Sequence, residues 1–102
     1  MKLPPNMQGM MKQAQQMQQR LRDEIAQIRV EASAGGGMVT VKMDGDKKVL
    51  SVKIDPEAAS DIEMLQDMVM AACNEAHKKV EEETQNKMAG ILGGMGLPPG
   101  LF

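Results

Sequence analysis

Residues 33–45 read SAGGGMVTVKMDG: three glycines in a row, a residue-by-residue alternation, then Asp-Gly. A glycine run can cradle a phosphate, or it can let the chain reverse direction. A Walker-type phosphate loop needs G-x-x-x-x-G-K-[ST] opening a helix, and the dinucleotide fingerprint also needs a helix N-terminus behind its glycines. Here Gly35, Gly36 and Gly37 are followed by Met38, and then Val39, Val41 and Met43 alternate with Thr40 and Lys42. That is the pattern of a strand with one apolar and one wet face, so the glycines read as a turn.

Downstream, Leu50, Val52 and Ile54 alternate with Ser51 and Lys53, a second half-buried strand. Asp44-Gly45 between them is a strong hairpin signal. Directly paired residues share a face. The apolar set is odd-numbered in the first of these strands and even-numbered in the second, so the loop must hold an even number of residues. Upstream, Val30–Ala34 alternates and forms a third strand across the glycine turn.

Helical spacing flanks this small sheet. From Asn6, a plausible N-cap, to about Arg29, Met7, Met10, Met11, Ala14, Met17, Leu21, Ile25 and Ile28 recur three and four apart. Such a helix is about 36 Å long, whereas a compact domain of this size has a radius of gyration of about 13 Å. One chain can hardly cover the stripe. After the sheet, Asp55 is placed to cap a short turn at Pro56. Ser60-Asp61-Ile62-Glu63 spells a capping box. The helix behind it is expected to bury Ile62, Leu65, Met68, Val69, Ala72, Ala76 and Val80 and to run weakly towards Met88. Its stripe narrows after Cys73, which predicts sheet contact up to there and projection beyond. The fold class is therefore α+β, in the order α-β-β-β-α, with a three-stranded antiparallel sheet and two long helices. The expected organisation is a flexible N-terminus over 1–5, one domain over 6–92 and a loose Gly/Pro-rich tail over 93–102. Two partly covered stripes suggest a homodimer.

Composition narrows the function. Of the 102 residues, 12 are Met and the only aromatic is Phe102. Without Trp or Tyr there is no platform for stacking exposed bases, which disfavours single-strand and typical RNA recognition. Metal binding by the methionines would need a tight cluster, and they fall at helical spacing instead. Cys73 cannot form an internal disulfide, no targeting segment or membrane span is visible, and the chain reads as cytoplasmic. Cys73 and His77, four apart, could share a helix face, but two ligands leave a metal site half built. Cys73 reads as a small buried hydrophobe and His77 as a residue at the wet edge. As a nucleophilic pair they lack an orienting partner and oxyanion donors. The expectation is no enzyme, no catalytic residue, no cofactor, no metal and no small-molecule substrate.

Charge is uneven. Residues 1–22 carry Lys2, Lys12, Arg20 and Arg22 and no acid, while 55–75 carry Asp55, Glu57, Asp61, Glu63, Asp67 and Glu75 and no base. Duplex phosphates need only cations, polar groups and amides. Candidate contacts are Lys12, Arg20 and Arg22 on the first helix and Lys78, Lys79 and Lys87 on the second.

The stretches MKQAQQMQQRL, AGGGMVTVKMDG, VLSVKIDP and MLQDMVMAACNEAHKK, in this order, resemble the YbaB/EbfC family of bacterial nucleoid-associated proteins. The likeness spans about Met10 to the GLPPG tail. It implies a tweezer-shaped homodimer with central sheets and projecting helices, binding double-stranded DNA in the nucleoid and influencing gene expression, without catalysis. Two positions depart from the family pattern: Gln66 stands where an acid is common, and Met68 where leucine is common. The alternative function is a non-enzymatic protein–protein adaptor whose Met-lined helices grip a partner helix.

Overall fold

The computed structural model describes residues 5–93. The expected N-terminal segment up to Pro4 and the tail from Gly94 lie outside the described residues. The elements run α1 (Pro5–Ala26), β1 (Arg29–Ala34), β2 (Val39–Asp44), β3 (Val49–Ile54), a 3-10 turn (Pro56–Ser60) and α2 (Ile62–Gly93). The strands form one antiparallel sheet in the order β1-β2-β3. The expected order of elements is the observed one.

The glycine turn is explained by its backbone. Gly35, Gly36 and Gly37 have φ of 64°, 68° and 95°, three consecutive left-handed residues that only glycine adopts without steric cost. Gly35 also lies against the Met68 side chain, where a Cβ would collide with its sulfur. Across the turn, Ala34 pairs with Val39 and the register runs to Arg29 opposite Asp44.

The second connection, Gly45–Lys48, has four residues, in keeping with the parity of the two strands. Val39 pairs with Ile54 and Val41 with Val52, after which a bulge leaves Leu50 unpaired and sets Met43 opposite Val49. Asp44 holds the turn, its Oδ1 accepting from the amides of Asp46 (3.0 Å) and Lys48 (2.9 Å). Gly45 is buried beneath the end of α1, where a Cβ would strike the Ile25 carbonyl oxygen.

The core lies between α2 and the inner faces of β1 and β2. Ala32, Val39, Val41 and Met43 meet Met68, Ala72, Ala76 and Val80. Val39, Val41 and Val80 are fully buried, each worth roughly 2 kcal/mol of transfer free energy. The narrowing stripe was expected to end sheet contact near Cys73, but contact runs to Val80. Ala72 and Ala76 are small enough to bring the helix close and are themselves fully buried.

Three other expectations are corrected. Asn6 is not the cap of α1, because Pro5 is already helical, and the helix ends at Ala26 rather than Arg29. There Arg29 Nη1 donates to the carbonyls of Ala26 (2.8 Å) and Ile28 (2.7 Å), closing the helix and opening β1. The cap of α2 is Asp61, whose Oδ1 accepts from the Met64 amide at 3.1 Å. Ser60 is held back in the 3-10 turn, its hydroxyl donating to Glu57 O at 2.8 Å. Asp55 does cap that turn, accepting from the Glu57 amide at 2.9 Å. Finally, β3 is not half-buried in the single chain and Ile62 is not core; all six β3 residues and Ile62 are exposed.

The described chain measures 69 × 24 × 18 Å with a radius of gyration of 19.7 Å, well beyond a compact domain of its length. At 1.5 Å per residue α2 is about 48 Å long. It outruns the sheet and meets α1 beside it.

Candidate nucleic-acid interface and self-association groove

The solvent face of α1 is set by its buried one. Met17, Leu21 and Ile25 are partly buried and Ile28 fully so, a stripe four, four and three apart that faces α2. Met7, Met10 and Met11 continue this stripe towards the N-terminus, where Met10 is 66 % exposed. The opposite face is polar throughout. From Pro5 to Arg22 it carries no acid, and Lys12, Arg20 and Arg22 are all exposed.

The six candidate cations do not form one patch. Lys12 has no ion-pair partner among the described residues, and neither does Arg22. Arg20 Nε pairs with Glu24 Oε1 at 3.6 Å, an exposed i,i+4 contact of little energetic weight. On α2, Lys78 is exposed, whereas Lys79 Nζ donates to the Glu31 carbonyl at 2.8 Å and so ties the helix to the edge of β1. Lys87 is half-buried on the stretch that runs past the sheet. Sequence could not show the Lys79 contact, which joins residues 48 apart.

Cys73 and His77 do not assemble a metal site; among the described residues no three His, Cys, Asp or Glu groups converge. His77 Nδ1 lies 3.7 Å from Glu81 Oε1, which also accepts from Lys47 Nζ at 3.3 Å. Lys47 sits at a φ of 65°, so this ion pair pins a left-handed turn residue to α2. Cys73 is half-buried rather than fully buried. A trough of about 610 Å³ crosses the outer face of the sheet over Glu31, Thr40, Lys42, Ser51 and Lys53. Ser33 and Thr40 hydroxyls meet on this face at 3.0 Å. No described polar or charged side chain is buried.

A second surface escaped the sequence reading. Val52 and Ile54 pair with the fully buried Val41 and Val39 and share their face, yet they are 45 % and 40 % exposed. The cause is the placement of α2, which packs over β1 and β2. Lys79 marks the flank of α2 over the outer edge of β1. Ile62, Val69 and Cys73, seven and four apart, lie on the flank towards β3. The result is an apolar groove with a sheet floor and one helical wall. The strand parity contained its signal, because an apolar β3 face needs a second helix that this topology does not supply.

Comparison with known proteins places this geometry. The sequence model described as the YbaB/EbfC DNA-binding family matches residues 1–95. The chain belongs to that family. It is 47% identical over 106 residues to a protein named nucleoid-associated protein from Acidobacterium capsulatum, with 97% of this chain and 98% of the relative covered. A protein of that name from Koribacter versatilis is 50% identical over 95 residues, covering 91% and 94%. Another, from Xanthomonas campestris, is 44% identical over 99 residues, covering 94% and 93%. The fold is similar to the crystal structure of an uncharacterised protein from Helicobacter pylori. There the TM-score is 0.74 at 25% identity, and the match covers 89% of this chain and 99% of that one. No described helix is long and apolar enough to cross a membrane.

Proposed function

We propose that this member of the YbaB/EbfC family is a non-catalytic nucleoid-associated protein of the bacterial cytoplasm that binds double-stranded DNA as a homodimer. The observation that carries the DNA reading is α1, a projecting helix whose exposed face holds cations and amides and no acid up to Arg22. Lys12 and Arg22 are the leading phosphate contacts, joined by Lys78 and Lys87 on α2. Arg20 and Lys79 hold contacts within the chain and rank behind them. Residues 55–75, acidic and without a base, surround the start of α2 and would be turned away from the duplex.

The homodimer reading rests on the groove over β3. A second copy related by a two-fold axis would bring its own β3 and α2 flank to this surface and complete the missing layer. Duplication would also double the cations available to one duplex.

Fluorescence anisotropy on a labelled duplex at several salt concentrations tests the DNA reading. The logarithm of the binding constant should fall linearly with log salt, with a slope of about −0.9 for each phosphate contacted. Replacing Lys12 and Arg22 by Ala should shallow that slope. Absence of binding at low salt, or a salt-independent constant, would reject it. The exposed Met7–Met10–Met11 stripe favours one other reading, an adaptor for a partner helix. Capture of such a partner by DNA-free protein, with no DNA binding, would select it.

A further inference from the structure

Six of the chain's nine glutamines lie in α1. Gln8, Lys12, Gln15, Gln19 and Arg22 follow one another at four, three, four and three residues. They therefore form a single stripe about 21 Å long on one helix face. All five side chains are exposed, and the stripe lies opposite the Met17–Leu21–Ile25 face that packs towards α2. A solvated helix face needs charge for solubility, but it has no need of amides at this regular spacing between two cations.

We propose that this stripe enters the major groove of the duplex, with Gln15 and Gln19 reading base edges while Lys12 and Arg22 anchor on the flanking phosphates. The inference rests on the DNA-binding reading above and adds to it a source of sequence preference. Its occupant follows from charge complementarity: the face carries Lys12 and Arg22 and has no acid before Asp23. The major groove admits an α-helix. A glutamine amide donates and accepts side by side, matching N7 and the N6 amino group of adenine. Gln19 is held by a neighbour on the helix. Its Nε2 donates one hydrogen to Asp23 Oδ1 at 2.9 Å, and its second N–H and its Oε1 remain for a base edge. Asp23 is thus a positioning residue, holding the amide without touching the base.

The test compares two duplexes of equal length, about 20 bp, one rich in A·T pairs and one entirely G·C, by anisotropy at fixed salt. The intact chain should favour the A·T-rich duplex by roughly tenfold, the discrimination of one good bidentate pair. The Gln15→Ala/Gln19→Ala double variant should bind both duplexes with nearly equal affinity and an unchanged salt slope. Gln18→Ala, exposed on another face of α1, should keep the full preference. Circular dichroism on each variant separates loss of recognition from loss of helix. Salt-dependent binding with no A·T preference, or a preference that survives the double variant, would overturn base reading and leave DNA binding standing. No binding by the intact chain would overturn both.

Discussion

β2 and β3 are both six-residue strands, alternating apolar and polar through Val39–Asp44 in one and Leu50–Ile54 in the other, and they meet opposite fates. Val39 and Val41 are fully buried, while their partners Ile54 and Val52 on the same face stand open. The difference lies in what covers each strand. Alternation specifies a face, and only tertiary structure supplies its cover. In this chain α2 covers two strands of three, which leaves a finished half-core beside an unfinished one.

The sharpest way to break the comparison is to charge both halves. Val41→Asp would place an unpaired carboxylate in the dry core, at a cost of about 4 kcal/mol or more, comparable with the whole stability of a small domain. Loss of the helical dichroism signal is expected. Val52→Asp should keep that signal, and if the proposed homodimer closes over β3 it should instead halve the mass seen by light scattering. If Val52→Asp unfolds the chain as well, β3 is not an independent surface.

A smaller effect separates the two turns. Gly45→Ala drives a methyl group into the Ile25 carbonyl, a backbone atom with little room to move, and should lose about 2–3 kcal/mol in urea denaturation. Gly36→Ala meets no atom within 4 Å and carries only the conformational cost of its positive φ, about 1 kcal/mol. Equal losses would show that the α1 junction is looser than its geometry. At the start of α2, Asp61→Ala should cost about 1 kcal/mol in denaturant midpoint analysis, and Ser60→Ala only a few tenths. The reverse order would restore Ser60 as the cap. Smallest is Glu81→Gln, which removes an exposed pair with Lys47 and should change stability by under about 1 kcal/mol, less still at high salt.

What could be read from the sequence was local. Three glycines, Asp44-Gly45 and the parity of two strands are short-range signals, and they predicted the sheet and the even loop between β2 and β3. Asp61 displaced Ser60 as cap because the preceding 3-10 turn offered the Ser60 hydroxyl a carbonyl of its own. The true reach of α2 over the sheet was hidden because beyond Cys73 the stripe thins to Ala76 and Val80, whereas a small side chain such as Ala76 permits the closest approach. The candidate cations divided in the same way. The Arg20–Glu24 pair is visible at i,i+4, but the contact from Lys79 to Glu31 needs the fold. The groove over β3 was implied by an apolar face with no helix to spare.

Gly45 sets where α1 meets the sheet. The last turn of α1 rests on the backbone of the β2–β3 turn, with only Gln27 and Ile28 between helix and sheet. A side chain at position 45 would therefore disturb the end of α1 and residues 44–48 together, and these lead straight into β3. The base of α1 and the start of β3 are thus joined at one tight turn.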